Sequence, residues 1–221
     1  MHLKEYEPIE PRFQRDQPVQ EAQENLRVIR DLMERSTKYS TFSGLSGVLA
    51  GLVAITGCLI QYFYVLVLPA ASRNTAFLIN WSIVIILAIG FDFLLTKRRA
   101  PQVGKTIVSR LGKQMALAAL PGLGTGALLS LVLLHHGLMD QIYPFWMLCY
   151  GAAVCAVGLF SQREVTRLGW AFVGTGAVTL LLHFLSSTPQ QGALVGLIMT
   201  GIAFGGFHVV YGIVVSRRGG W

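Results

Sequence analysis

Six apolar runs, each long enough to cross a bilayer, divide this chain, and its cations are confined almost wholly to one side of them. The runs lie near Phe42–Leu68, Thr75–Leu95, Met115–Leu134, Tyr143–Phe160, Leu168–Leu185 and Gly192–Val215. At 1.5 Å per residue, runs of roughly 18–27 residues match about 30 Å of hydrocarbon. Of the 18 Lys and Arg residues, Arg73 alone falls in a connection that follows an odd-numbered run. The others precede the first run, gather at Lys97, Arg98, Arg99, Lys105, Arg110 and Lys113, or flank later runs at Arg163, Arg167, Arg217 and Arg218. Short connections rich in Lys and Arg stay in the cytoplasm. The expected fold is therefore all-α, a polytopic membrane bundle of six transmembrane helices with both termini inside.

Composition narrows the choice further. A chain that is 53% apolar and 13% charged lacks the polar surface of an ordinary soluble domain. Strands would need an alternation that is absent, and hydrocarbon leaves no partner for an unpaired amide. Residues Met1–Gln20 are polar and hold Pro8, Pro11 and Pro18, unlike a cleavable signal peptide; insertion is expected to use the first span itself. The net charge of +7 sits at helix ends on one face, where each cation gains about 1 kcal/mol from anionic head groups. Membrane lipids, and not nucleic acid, are the partners this placement predicts. Cys58, Cys149 and Cys155 all fall within spans, form no CxxC pair, and read as packing residues.

Residues 1–19 form a polar tail, 20–38 an amphipathic cytoplasmic helix, and 39–221 the six-helix domain. The helix is read from Leu26, Ile29, Leu32 and Met33 at i, i+3, i+4 spacing. Its acidic Glu21 and Glu24 come early and Arg27, Arg30, Arg35 and Lys38 late, the order that a helix dipole favours. Lying on the membrane surface, pairing with a copy of itself and docking on the span ends are all open to it.

The stretch Glu34–Gly51, ERSTKYSTFSGLSGVLAG, resembles the start of the first span in an uncharacterised family of small six-span bacterial membrane proteins. There a charged helix runs into a Ser-Gly-Leu-Ser-Gly segment. The resemblance implies a bacterial inner membrane and the six-span layout. It carries no activity and supplies no site residue.

Glycine marks the expected helix contacts. Gly47 and Gly51 are four residues apart in the first span, so they share a face that a neighbour can approach closely. In the sixth span Gly201, Gly205, His208 and Gly212 follow at steps of 4, 3 and 4, which predicts one common seam. Small-residue strings recur at Gly122–Ala127 and Gly174–Ala177, in keeping with three related helical hairpins. Gly122–Gly126 imitates a nucleotide-binding string but lies inside an apolar run with its amides committed to the helix.

Ionisable residues inside spans usually face a partner or a cavity. Asp92 and His208 occupy the cytoplasmic half and are the candidates for proton or ligand handling. Their depths differ by about one turn of 5.4 Å, so a direct pair requires tilted helices. Ion pairing of Asp92 with Arg98, Arg99 or the arginines ahead of the first span is the structural alternative, as packing against a neighbour is for His208. On the opposite rim His135, His136 and His183 share a depth, with Asp140 close by in sequence. Such a set can bind zinc or haem, or simply rest at the interface. Tyr62, Tyr64, Trp81, Tyr143 and Trp146, with Trp170 and Tyr211 opposite, fit aromatic belts.

No catalytic constellation is visible in these residues, and no cofactor is expected. The leading expectation is a non-enzymatic membrane protein that works by association, as an accessory, assembly or regulatory subunit, with other membrane subunits or itself as partner. The alternatives are a small-solute or ion transporter using Asp92 and His208, and a metal or haem redox protein using the rim histidines.

Overall fold

A computed structural model describes residues 20–29, 44–99, 110–186 and 188–219, all but the short connections of which are helical. The chain divides into two units, Met1–Lys38 and Tyr39–Trp221. In the first, residues 20–29 form α1, with every residue exposed, Leu26, Val28 and Ile29 included. Leu32 and Met33, half of the apolar stripe read from the sequence, lie outside the described residues.

The second unit contains α2 (Gly44–Val67), α3 (Ala70–Arg99), α4 (Arg110–His135), α5 (Met139–Gly158), α6 (Arg163–Leu185), α7 (Pro189–Thr200) and α8 (His208–Gly219). A π-helical segment, Gly201–Phe207, joins α7 to α8 into one continuous last span. Six helices are thus long and apolar enough to cross a membrane. Several outrun their apolar cores: α3 continues through Lys97 and Arg98, and α6 starts at Arg163. Long cationic side chains permit this, because their stems lie along hydrocarbon while their heads reach water.

Local chemistry sets the connections. Gly137, at φ +72°, closes α4, with the Leu138 amide donating to the Leu133 carbonyl at 2.8 Å and the Gly137 amide to that of Leu134 at 3.1 Å. This left-handed cap suits glycine, which has no Cβ to clash. Thr188 caps α7 by accepting the Gln191 amide at 3.3 Å, and Pro189 follows at the first helical position, where its missing N–H is not needed.

The packing order is α3 on α2, α2 on the last span, the last span on α5 and α6, and α4 on α5. The most extensive pairing joins α5 to α6. Three equivalent hairpins are therefore not the pattern, since α6 packs more against the preceding helix than against its following partner α7. Glycine governs each close approach. A Cβ at Gly122 would lie 2.7 Å from the Cys149 carbonyl oxygen, and one at Gly169 would lie 2.7 Å from the Cys155 nitrogen. Within the strings Gly122–Ala127 and Gly174–Ala177, a Cβ at Gly176 would meet the Leu148 nitrogen at 3.0 Å, whereas Gly124 and Gly174 have nothing within 4 Å. Only alternate glycines of each string thus serve a contact.

Between these seams sits a core of Phe77, Ile142, Tyr143, Met147, Phe172, Leu197 and Ala203. Tyr143 belongs to it, 6% exposed, and its ring meets Phe77 and Trp81 at centroid distances of 5.8 and 6.5 Å. It is a core residue instead of a belt residue, because the Phe77 and Trp81 rings reach it from α3 and the glycine face of α7 at Gly196 lies against it. The peripheral helices are α3 and α4: 11% of the apolar window of each is buried, against 39% for α5.

Candidate functional site

The seam between the first and last spans brings two backbones together. Gly47 and Gly51 face the last span: a Cβ on Gly51 would lie 2.6 Å from the Gly205 carbonyl oxygen, and one on Gly47 would lie 3.1 Å from the Gly212 Cα. Gly212 abuts the Gly44 carbonyl and the Val48 amide, while Ser216 lies over Gly44. Gly201 stands apart, since its Cβ would meet the Cys58 sulfur at an ordinary 3.8 Å.

His208 follows directly on the π-helical segment, and its side chain leaves this seam. Only its carbonyl oxygen approaches Gly47; its ring lies among Tyr150, Phe172 and Phe204, at centroid distances of 5.7, 5.4 and 6.2 Å. The common stripe expected from steps of 4, 3 and 4 assumes 3.6 residues per turn. A π-helix with i to i+5 bonds turns less per residue, which rotates His208 towards α5 and α6.

Two hydrogen bonds fix the imidazole. Its Nδ1 lies 2.9 Å from the Phe204 carbonyl oxygen, which can only accept, so Nδ1 carries a hydrogen. The neutral ring then accepts at Nε2, where the Tyr150 hydroxyl donates across 2.8 Å. Tyr150 stacks edge-on against Phe172, which is fully buried, so its ring and hydroxyl are both held. Sequence reasoning missed Tyr150 because one tyrosine in an apolar run carries no distinguishing signal.

Asp92 does not touch His208. Its Oδ1 accepts a hydrogen bond from the Ser46 hydroxyl at 2.8 Å, joining α3 to α2 one residue from Gly47. Ser46, and not an arginine, is thus its bonded partner among the described residues; Arg98 is exposed. The two candidates read from the sequence thus have separate partners: Asp92 is bonded to Ser46, and His208 to Tyr150 and Phe204.

No protein-family model matches this chain, and neither the curated proteins nor the solved structures yield a match. The geometry is thus the ground for any functional reading.

At the opposite end, His183 Nε2 lies 3.4 Å from Asp140 Oδ2. The imidazole fills the space left by Gly192, whose Cβ would lie 2.8 Å from His183 Cε1. His135 and His136 are exposed and meet each other edge-on at 5.2 Å. Their side chains do not join His183, and among the described residues no three His, Cys, Asp or Glu side chains converge as metal ligands. Asp140 opens α5 while His183 closes α6, placements that suit the respective helix dipoles.

A further polar contact lies between α2 and α3. The Asn80 amide donates to the Gly57 carbonyl at 3.0 Å and to Gln61 Oε1 at 3.3 Å. Both side chains are buried, at 5% and 1% exposure. With Ser46–Asp92, this gives α3 two polar ties to α2 within a largely apolar interface. Buried amides in spans commonly bond across helices, and Gln61 and Asn80 were visible in the sequence without any sign that they meet.

Proposed function

We propose that this chain is a non-enzymatic protein of a bacterial inner membrane, both termini cytoplasmic, that works by association as an accessory, assembly or regulatory subunit. The observation that carries the reading is the contrast between a glycine-locked interior and two spans, α3 and α4, each packed mainly on one neighbour with 11% of its apolar window buried. Backbone contact at Gly47, Gly51, Gly205 and Gly212 leaves the first and last spans little room to separate, as suits a scaffold. The apolar faces of α3 and α4, including Ile86 and Leu128 at 68% exposure each, stand open to neighbouring membrane subunits, a second copy or lipid. The basic segments Gln20–Lys38 and Lys97–Lys113 are the other surface open to a partner, and of them residues 30–38 and 100–109 lie outside the described residues.

The test is photocrosslinking in native membranes at natural abundance, with probes at Ile86 and Leu128, followed by copurification in mild detergent. Defined protein adducts from either position are expected. A lone monomer with lipid adducts alone would overturn the association reading.

Transport of a small solute or ion through Asp92 and His208 is the second reading, favoured by two ionisable side chains that lie within spans, each bonded to a hydroxyl of another helix. The aromatic enclosure of His208 argues for a dry site and against a pathway. Counterflow in proteoliposomes that vanished in Asp92→Asn would reverse this order. The redox reading receives no support from the rim, where His183 is engaged with Asp140; a Soret band or bound metal in purified protein would restore it.

A further inference from the structure

The last span changes its winding midway, and two side chains hold the change. Gly201–Phe207 is π-helical between α7 and α8, and such segments are rare and mostly one turn long. In a regular α-helix the His208 amide would donate to the Phe204 carbonyl, four residues back. Here the amide donates to the Gly205 carbonyl, and the His208 Nδ1–H takes the Phe204 carbonyl at 2.9 Å. The imidazole thus stands in for its own amide, and the Tyr150 hydroxyl, 2.8 Å from Nε2, keeps it there. We propose that the Tyr150–His208 pair is a latch on the winding of the last span. Closed, it holds the segment as a π-helix; open, it lets the segment rewind as an α-helix, which shifts α7 by one residue and parts His183 from Asp140.

Glycine contacts decide which half of the span moves. Backbone holds α8: a Cβ at Gly47 would lie 3.1 Å from the Gly212 Cα, and one at Gly212 would lie 2.6 Å from the Val48 nitrogen. Gly205 belongs to the same side, its carbonyl oxygen 2.6 Å from a Cβ placed on Gly51. Side chains hold α7: a Cβ at Gly196 would meet the Tyr143 ring at 2.7 Å, and one at Gly192 would meet His183 Cε1 at 2.8 Å. Rings swing aside at less cost than a packed backbone moves. At the outer end of the π-helical segment, the nearest neighbour of a Cβ on Gly201 is an ordinary 3.8 Å away. The pivot therefore lies between Gly201 and Gly205, with α7 as the part that turns.

With i to i+5 bonds, a single π turn holds about one residue more than the α turn it replaces. Rewinding it against a fixed α8 turns α7 by about 100° and carries it about 1.5 Å along the axis, the step of one residue. Each position of α7 is then taken by the residue that follows it. Leu197 comes opposite Tyr143 in place of Gly196, and Ala193 comes opposite His183 in place of Gly192. The alanine methyl needs the space that the His183 ring fills, so the ring leaves Asp140, whose Oδ2 lies 3.4 Å from Nε2 in the π form. Two glycines fit where the α form puts larger side chains, and the π winding is therefore the major one while the latch is closed. Thr200 does not oppose the turn, since its hydroxyl bonds the Gly196 carbonyl at 2.8 Å within α7 itself.

The latch requires neither association nor transport, and its test reads the His183 ring after a change at residue 208. Gly192, which His183 touches, is 16 residues from His208, roughly 24 Å along a helix, too far for a direct effect. In the full-length protein in lipid nanodiscs, ¹⁵N-labelled histidine reports the His183 ring nitrogens, with His183→Gln assigning the signal. His208→Leu removes both bonds of the latch, and the expected result is a second His183 signal, released from Asp140, whose share rises at least about tenfold. Deleting Gly206 removes the surplus residue, so an α-helix then meets both faces; in that chain His183 should keep its pairing with or without His208→Leu. A merely structural histidine lowers the melting temperature in His208→Leu and leaves the His183 signal in place. An unmoved His183 signal, a change that persists in the shortened chain, or a shortened chain that does not fold overturns the proposal. Tyr150→Phe, which removes only the hydroxyl, is read in the same way where His208→Leu does not fold.

Discussion

Replacing Gly51 with alanine adds one methyl group where the structure has no room for it. The new carbon would lie 2.6 Å from the Gly205 carbonyl oxygen, 2.7 Å from a Val209 methyl and 3.0 Å from the Val209 nitrogen, whereas ordinary contact begins at 3.4 Å. Two of these atoms are backbone, so relief requires the last span to move away by about 0.8 Å, the difference between 3.4 and 2.6 Å. A gap of 0.5–1 Å forfeits roughly a quarter to a half of each dispersion contact it opens, and overpacking of this kind typically costs about 1–3 kcal/mol. Gly124→Ala is the matched control, because nothing lies within 4 Å of its Cβ position. Both substitutions gain the same helix preference of alanine over glycine, up to about 1 kcal/mol. The comparison isolates the steric part: Gly51→Ala should be less stable than Gly124→Ala by about 2 kcal/mol. Reversible unfolding in mixed micelles, followed by tryptophan fluorescence, measures the difference. A gap below about 0.5 kcal/mol, the usual scatter between independent sites, would refute the claim that backbone contact sets this seam.

Phe172→Ala, which deletes a fully buried ring touching Tyr150, Phe204, Phe207 and His208, should cost about 3–5 kcal/mol in the same assay. Asn80→Ala should cost about 1 kcal/mol by stranding Gln61, whereas Asn80→Leu combined with Gln61→Leu should recover part of that loss; additive losses would contradict the bond. Gly137→Ala places a side chain at φ +72° and should destabilise by about 1 kcal/mol, while Gly90→Ala, in open space, should not.

The spans were legible because hydrocarbon demands a long apolar run whatever the fold, and the six helices agree with those runs to within a few residues. Glycine spacing within one helix was legible as well, since it depends only on helical period: Gly47 and Gly51 do share a contact face. Neighbour choice was not. Nothing in the residues distinguishes a glycine that meets a backbone, such as Gly122 or Gly176, from one left open, such as Gly124 or Gly174. Period-based reasoning also failed where the helix itself changed period. Gly201–Phe207 winds as a π-helix, which turned His208 out of the glycine seam and towards Tyr150. The pairings Ser46–Asp92 and Tyr150–His208 join residues 46 and 58 positions apart, a separation at which local sequence carries no information about contact.

The contact of the first span with the last also governs the order of assembly. Gly51 and Gly205 are separated by 154 residues of chain, and at about 5–20 residues per second the last span follows the first from the ribosome by roughly 8–30 s. Throughout that interval the glycine face of α2 is without its native neighbour, although α3 can already join it through Ser46 and Asn80. The bundle therefore closes late, after synthesis of its final helix, and a chain cut short before His208 retains an open groove along α2 that any helix with small side chains can enter.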